Sequence, residues 1–311
     1  MKRFFICIAL VLSVAGSLFA QKQPCATAGQ DNAYLGIQTI RLWPGDAPEA
    51  KGTNCEDIPT LTVFEPQNGH GNGSAIVVLP GGAYLGLAGN LEGRQVADWF
   101  TSRGFRAFIL SYRLSSNGYL LPVPLLDARR AVQTVRARAL DYHIDPSRIG
   151  IIGFSAGGHL AALAATQPVP GTPDSDDPLS RVSSRPDFLV LGYPWIGAIS
   201  SDTSHLSYCK LFKVMDRCEE LRTAYSPDLF VTRDTPPTFW FHTFDDQTVP
   251  VEQGLRFYEA LVKAGVPAEA HIFAHGPHGT GLGAGSPSLD QWPNLLETWL
   301  RARGLIPEVL K

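Results

Sequence analysis

The sequence lacks any tract of basic residues: 26 Lys and Arg stand against 29 Asp and Glu, a formal charge of −3. A nucleic-acid partner therefore has no electrostatic support. After the first twenty residues there is no apolar stretch long enough to span a bilayer, which takes about 20 residues. A phosphate-cradling G-x-x-x-x-G-K and a dinucleotide-binding glycine fingerprint are both absent, so no cofactor is expected. Internal repeats and low-complexity tracts are missing too. Cysteine is scarce, at five residues, and none sits in a nucleophile context.

What is there begins with a leader. Lys2 and Arg3, the apolar run Phe4 to Leu12 and the small residue Ala20 follow the order of a secretory signal peptide over 1–20, with an uncleaved anchor as the alternative. Cleavage removes two basic residues, which takes the formal charge from −3 to −5, and also removes Cys7. Cys25, Cys55, Cys209 and Cys218 remain as an even set in an oxidising compartment, so two disulfides are expected. Three pairings exist. The local ones, Cys25–Cys55 and Cys209–Cys218, are preferred: the first would pin an otherwise loose N-terminus, and the second would close a loop inside the 200–230 insertion. The mature protein is expected to be secreted or periplasmic and not membrane-bound.

Residues 21–35 read as a polar, irregular segment, and 36–311 as one domain of an ordinary globular composition, 44% hydrophobic and 18% charged. Apolar runs alternate with helical spacing. Strands are expected at 36–42, 60–64, 75–79, 105–112, 148–153, 187–193, 237–244 and 268–273. Helices are expected at 91–102, 126–140, 156–165, 252–264 and 289–303. This rhythm is that of an α/β fold, a mostly parallel sheet with helices on both faces. Residues 168–185 and about 199–235 break it, and both read as insertions over the carboxyl edge of the sheet, where such folds place their sites.

Gly153-Phe154-Ser155-Ala156-Gly157 matches G-x-S-x-G. The string alone is weak, but it lies between an apolar strand and a small-residue helix, as a nucleophile elbow requires. Ser155 is the candidate nucleophile, and the Ala156 amide can face a developing oxyanion. A second donor is expected from the glycine turn after the third strand, Pro80-Gly81-Gly82-Ala83, where Gly82 and Ala83 both qualify. A serine hydroxyl needs a base, and the base needs an orienting carboxylate, in the chain order Ser, Asp, His. Asp246, just past a strand end in Asp246-Gln247-Thr248-Val249-Pro250, is the candidate acid, with Asp245 as competitor. His278, between Pro277 and Gly279, is the candidate base, with His275 second. His159 reads as a packing residue and His271 as part of a strand. His271, His275 and His278 do not have the spacing of a helical zinc motif, so no metal is expected. Tyr84 and Trp195 are candidates to line the acyl or sugar pocket, or else to pack beneath the second insertion.

Taken together, Pro80-Gly81-Gly82, Gly153 to His159, Asp246 to Pro250 and Gly276-Pro277-His278-Gly279 resemble the bacterial acetyl xylan esterase-like branch of the α/β hydrolases. The likeness runs from about Gly36 to Leu305 and includes Tyr112-Arg113-Leu114 and Ser226-Pro227-Asp228. It implies an α/β-hydrolase fold and metal-free removal of acetyl groups from plant polysaccharide, with a small ester or acetylated oligosaccharide as partner. Hormone-sensitive-lipase-like relatives carry His-Gly-Gly-Gly where this chain has Pro80-Gly81-Gly82-Ala83. Two rival readings stand beside the esterase. Prolyl-type peptidases share the triad logic, and a hydrolase scaffold can be kept for binding alone.

Overall fold

The computed structural model describes residues 37–69, 71–198 and 207–307. The expected signal peptide, the 21–35 segment and Cys25 lie outside the described residues, as does the 199–206 stretch of the second insertion. Among the described residues eight strands form one sheet: β1 (Thr39–Arg41), β2 (Thr60–Phe64), β3 (Ala75–Leu79), β4 (Arg106–Ser111), β5 (Ile149–Phe154), β6 (Phe188–Gly192), β7 (Thr238–Thr243) and β8 (Ala268–Phe273). Their spatial order is β1-β2-β4-β3-β5-β6-β7-β8. The first two pairings are antiparallel and the other five parallel.

The central parallel strands β3, β5 and β6 are buried on both faces, which is why their sequences are near-continuous apolar runs rather than alternations; β8, at the sheet edge, is only half-buried. Every residue of β3 and β5 is buried. Their side chains nevertheless divide strictly by face. Ala75, Val77, Leu79, Ile149 and Ile151 join one core, with helices α2 (Val123–Ala137), α3 (Ser155–Thr166) and α6 (Glu252–Ala264). Ile76, Val78, Ile152 and Phe154 join the other, with α1 (Gln95–Thr101) and α7 (Trp292–Ala302). Each fully buried large apolar side chain contributes roughly 1.5–3 kcal/mol of transfer free energy, so the two cores supply the main driving force. Arg113 crosses this apolar interior safely because Asp127, which is itself buried, receives its guanidinium at 2.6 Å.

Two expectations need correction. The helix expected over 91–102 is α-helical only from Gln95, since Gly89–Arg94 form a π-helical turn. The helix expected at 126–140 begins at Val123, with Pro124 in its first turn where no amide bond is lost. Within the second insertion, α4 (Tyr208–Leu211) and α5 (Cys218–Tyr225) are joined by the expected Cys209–Cys218 disulfide. Cys55 is disulfide-bonded as well. No helix among the described residues is long and apolar enough to cross a membrane.

Candidate functional site

The site is assembled at the carboxyl ends of β3, β5, β7 and β8. Ser155 is both the residue after β5 and the first of α3, and it holds φ at +50°, a left-handed conformation that costs a non-glycine residue about 1–3 kcal/mol. The surrounding packing enforces it. A Cβ at Gly153 would lie 2.1 Å from the Gly157 carbonyl oxygen, and one at Gly157 would lie 2.2 Å from that of Leu79. The two glycines of the motif therefore let α3 start hard against β3 and β5, with Ser155 raised at the bend.

Ser155 Oγ lies 2.8 Å from His278 Nε2, and His278 Nδ1 lies 2.7 Å from Asp246 Oδ2. A carboxylate only accepts, so Nδ1 carries the imidazole proton and Nε2 is left to accept the serine hydroxyl. Asp246 Oδ1 accepts the amides of Thr248 and Val249, at 2.8 and 2.9 Å. The buried His242 Nε2–H donates to the Val249 carbonyl at 2.9 Å and stands 3.4 Å from Asp246 Oδ2. Burial pushes the Asp246 carboxyl up. Hydrogen bonds from His242 and His278, the His278 charge and the Val249 amide outweigh this and hold it well below the usual carboxylate range.

The competing residues form a pair of their own. His275 Nδ1 is 2.9 Å from Asp245 Oδ2, and Asp245 Oδ1 accepts the Gly276 amide at 3.0 Å. His271 pairs with Glu269 at 2.8 Å on β8. Among the described residues no group of three or more His, Cys, Asp or Glu is placed to hold a metal ion.

The turn after β3 is equally specific. Gly82 has φ of +135°, and a Cβ there would meet the Gly86 carbonyl oxygen at 2.3 Å. Ala83 and Tyr84 follow at φ of +54° and +60°. The Leu85 and Gly86 amides both turn back onto the Gly82 carbonyl, at 2.8 and 3.1 Å. Successive backbone amides in a tight turn of this kind can converge on an anion. Gly82 is exposed and Ala83 half-buried, so this turn faces solvent beside the serine.

Tyr84 and Trp195 are packed as core side chains, 0% and 1% exposed, rather than standing on an open wall. The Trp195 amide supports the elbow by donating to the Ser155 carbonyl at 2.9 Å. His159 Nε2 reaches the Tyr225 carbonyl at 2.8 Å and must donate to it, so Nδ1 accepts the Tyr84 hydroxyl, also at 2.8 Å. Burial lowers the His159 pKa to about 4, which keeps this bridge neutral. It ties α3, the glycine turn and α5 together, a role beyond simple packing. Sequence reading also passed over His242, Tyr193 and Glu92. Their partners are 7, 88 and 11 residues away in the chain, so no local motif announces them.

A serine raised at a strand-to-helix elbow, beside a glycine turn, on a mostly parallel sheet flanked by helices defines the α/β-hydrolase architecture. A family model described as BD-FAE matches residues 61–183, and one described as the prolyl oligopeptidase family matches residues 201–301. The solved acetyl ester-xyloside bifunctional hydrolase of Caldicellulosiruptor lactoaceticus is 38% identical over 87% of this chain and 97% of its own, with a TM-score of 0.77. Esterase Est2 of Thermogutta terrifontis is 26% identical over 89% of this chain and 96% of its own, with a TM-score of 0.71. An acetylxylan esterase of Xylanibacter ruminicola is 33% identical over 78% of this chain, which spans 48% of that protein's length. The chain belongs to the α/β-hydrolase superfamily and resembles its acetyl xylan esterase-like members.

Proposed function

We propose that this chain is a secreted serine carboxylesterase that removes acetyl or other short acyl groups from carbohydrate such as acetylated xylan. The observation that carries the chemistry is the line from Ser155 Oγ through His278 to Asp246, with steps of 2.8 and 2.7 Å. His278 Nε2 takes the hydroxyl proton as Ser155 Oγ attacks the ester carbonyl. Asp246, anchored by two amides, keeps the imidazole oriented and supports the imidazolium. The oxyanion forms against the Ala156 amide and those of Gly82 and Ala83, each donor contributing roughly 3–4 kcal/mol to transition-state binding. The alcohol leaves with the proton from His278. Water, activated by the same base, then clears the acyl-enzyme and restores Ser155.

The substrate class rests on the relatives, one named for acetylxylan and one for acetyl ester and xyloside hydrolysis. Export rests on the leader sequence and on the Cys209–Cys218 disulfide, which suits an oxidising compartment. The test is acetate release from acetylated xylan by the purified protein, with Ser155→Ala as control. Ser155-dependent release supports both nucleophile and substrate. Ser155-dependent cleavage of a small acetyl ester without release from xylan keeps the mechanism and sinks the carbohydrate assignment. The prolyl oligopeptidase match over 201–301 favours a peptidase as the second reading. Cleavage of a prolyl anilide in preference to the acetyl ester would establish it.

A further inference from the structure

Beneath the site lies a carboxylate that the triad does not use. Glu92 belongs to the π-helical turn Gly89–Arg94 and is 3% exposed. Its two oxygens have separate duties. Oε2 accepts the Gly81 amide at 2.7 Å, at the base of the glycine turn, and Oε1 accepts the Tyr193 hydroxyl at 2.7 Å. Tyr193 Oη in turn accepts the Gly281 amide at 2.8 Å, in the loop that carries His278. The Gly281 carbonyl is held from its other side by Trp292 Nε1 at 3.1 Å. The Tyr193 ring meets the His278 ring edge-on, with centroids 4.9 Å apart. Tyr193 also sits at a positive φ of 34°, and single π-turns like the one that carries Glu92 concentrate at functional sites. One buried side chain thus spans the turn beside the oxyanion and, through one hydroxyl, the loop of the base.

We propose that Glu92, with Tyr193, is a positioning residue that fixes the Gly82–Ala83 turn relative to His278 and adds a second negative charge behind the imidazolium formed in the transition state. The inference rests on the serine-esterase reading above. The titratable groups that face Glu92 are Tyr193, Tyr112 and His278, and those that face His278 are Asp246, Glu92 and Tyr193. Burial raises both tyrosines, so they stay neutral and donate, to Glu92 and to the Pro80 carbonyl respectively. Burial also dominates at Glu92, whose carboxyl stays raised above the usual carboxylate range. The Tyr193 and Gly81 hydrogen bonds and the His278 charge oppose that rise. The coupling is reciprocal: an anionic Glu92 favours a protonated His278.

An amide at position 92 keeps the shape but offers one acceptor oxygen and one NH2, so either the Gly81 amide faces a donor or the Tyr193 hydroxyl proton loses its acceptor. The experiment uses the full chain with p-nitrophenyl acetate and compares wild type, Ser155→Ala, Glu92→Gln and Tyr193→Phe in kcat, KM and pH profile. Glu92→Gln is expected to lower kcat about tenfold or more while KM changes less than about twofold, because the misaligned donors act in the transition state. Its acidic limb should move to lower pH, since the charge favouring the protonated base is gone. Tyr193→Phe keeps that charge, so kcat should fall without a downward move of the limb.

A Glu92→Gln enzyme with kcat within twofold of wild type and an unmoved limb overturns the proposal. So does a loss shared equally between kcat and KM with no movement of the limb, which marks a merely structural role. If Glu92→Gln does not fold, Tyr193→Phe decides alone: unchanged kcat overturns the link to the base loop. Activity that survives Ser155→Ala points elsewhere, to failure of the esterase reading itself.

Discussion

Asp245 and Asp246 are neighbours in sequence, and each holds a histidine of the loop after β8. Asp245 meets His275 at 2.9 Å, and Asp246 meets His278 at 2.7 Å. Each acid also accepts backbone amides. The geometry is nearly the same, but the surroundings are not. The Asp246 side chain has no exposure and His278 has 14%, against 41% for Asp245 and 86% for His275. In the inner pair the field is undiluted by solvent, and Nε2 of the histidine faces Ser155. In the outer pair water competes for every bond. Two chemically equivalent dyads thus differ in their surroundings, one buried against Ser155 and the other at the surface of the loop.

The largest separation is expected from matched substitutions. Asp246→Asn turns an amide N–H toward His278 Nδ1 and favours the wrong tautomer, so kcat for a small acetyl ester should fall by about 10⁴. Asp245→Asn leaves an oxygen to accept the Gly276 amide, and its effect should stay below about tenfold. Comparable losses from the two variants would erase the distinction drawn between the pairs.

Acid should separate them next. The folded-state pKa of Asp246 is depressed, so its contribution to stability is present above the unfolded value of about 3.9 and is lost as pH falls below it. Thermal melting of wild type and Asp246→Asn between about pH 5 and pH 2 is expected to show a shallower loss on acidification for the variant. Parallel curves would mean that the inner carboxylate has no special hold in the folded state. Asp245 is lowered as well, chiefly by His275, but it is solvated, and its removal should change the slope less.

Gly276 lies between the two histidines. Its amide goes to Asp245 and its carbonyl accepts the Thr243 hydroxyl at 2.9 Å. A Cβ there would come within 2.8 Å of Thr243 Cγ2 and 3.0 Å of Leu289 Cδ2. Both are side-chain ends that can yield, so Gly276→Ala should cost about 1–2 kcal/mol in chemical unfolding and reduce kcat several-fold. A stable variant with unchanged kcat would show that the tether need not be tight for the base to work.

Much of this was legible in the sequence, and the reason is locality. G-x-S-x-G, the glycine turn and D-x-x-V-P are local because each must shape a single bend at a strand end. The sheet was legible for the same reason: a strand buried on both faces needs an unbroken apolar run, and β3 falls at the expected residues 75–79; β8, half-buried at the sheet edge, also falls at the expected 268–273. The choice between Asp245 and Asp246 was not settled by pattern, because burial decides it and burial belongs to the fold. The same holds for Tyr84 and Trp195, whose aromatic character suits a pocket wall or a core equally well. Glu92 and Tyr193 were invisible because the bond between them joins segments 101 residues apart, and the bridging role of His159, read only as packing, depends on Tyr84 and Tyr225, 75 and 66 residues away. The helices of the second insertion were missed because short segments held by a disulfide need little periodicity of their own.

The smallest expected effect belongs to His275, and it bears directly on what the outer pair does. His275→Ala removes an exposed ring and one bond to Asp245, while the Asp245 bond to the Gly276 amide and the Thr243 bond to the Gly276 carbonyl remain. An exposed ion pair contributes little and is screened by salt, so kcat/KM should change by less than about threefold at moderate ionic strength. The alanine variant is informative in either direction. A small change assigns the tether to the backbone of Gly276, with His275 an accessory. A loss of tenfold or more, relieved by raising Asp245 occupancy of the amide through a second-site change, would make the outer ring a support for the loop of His278, and burial would no longer be what sets the two dyads apart.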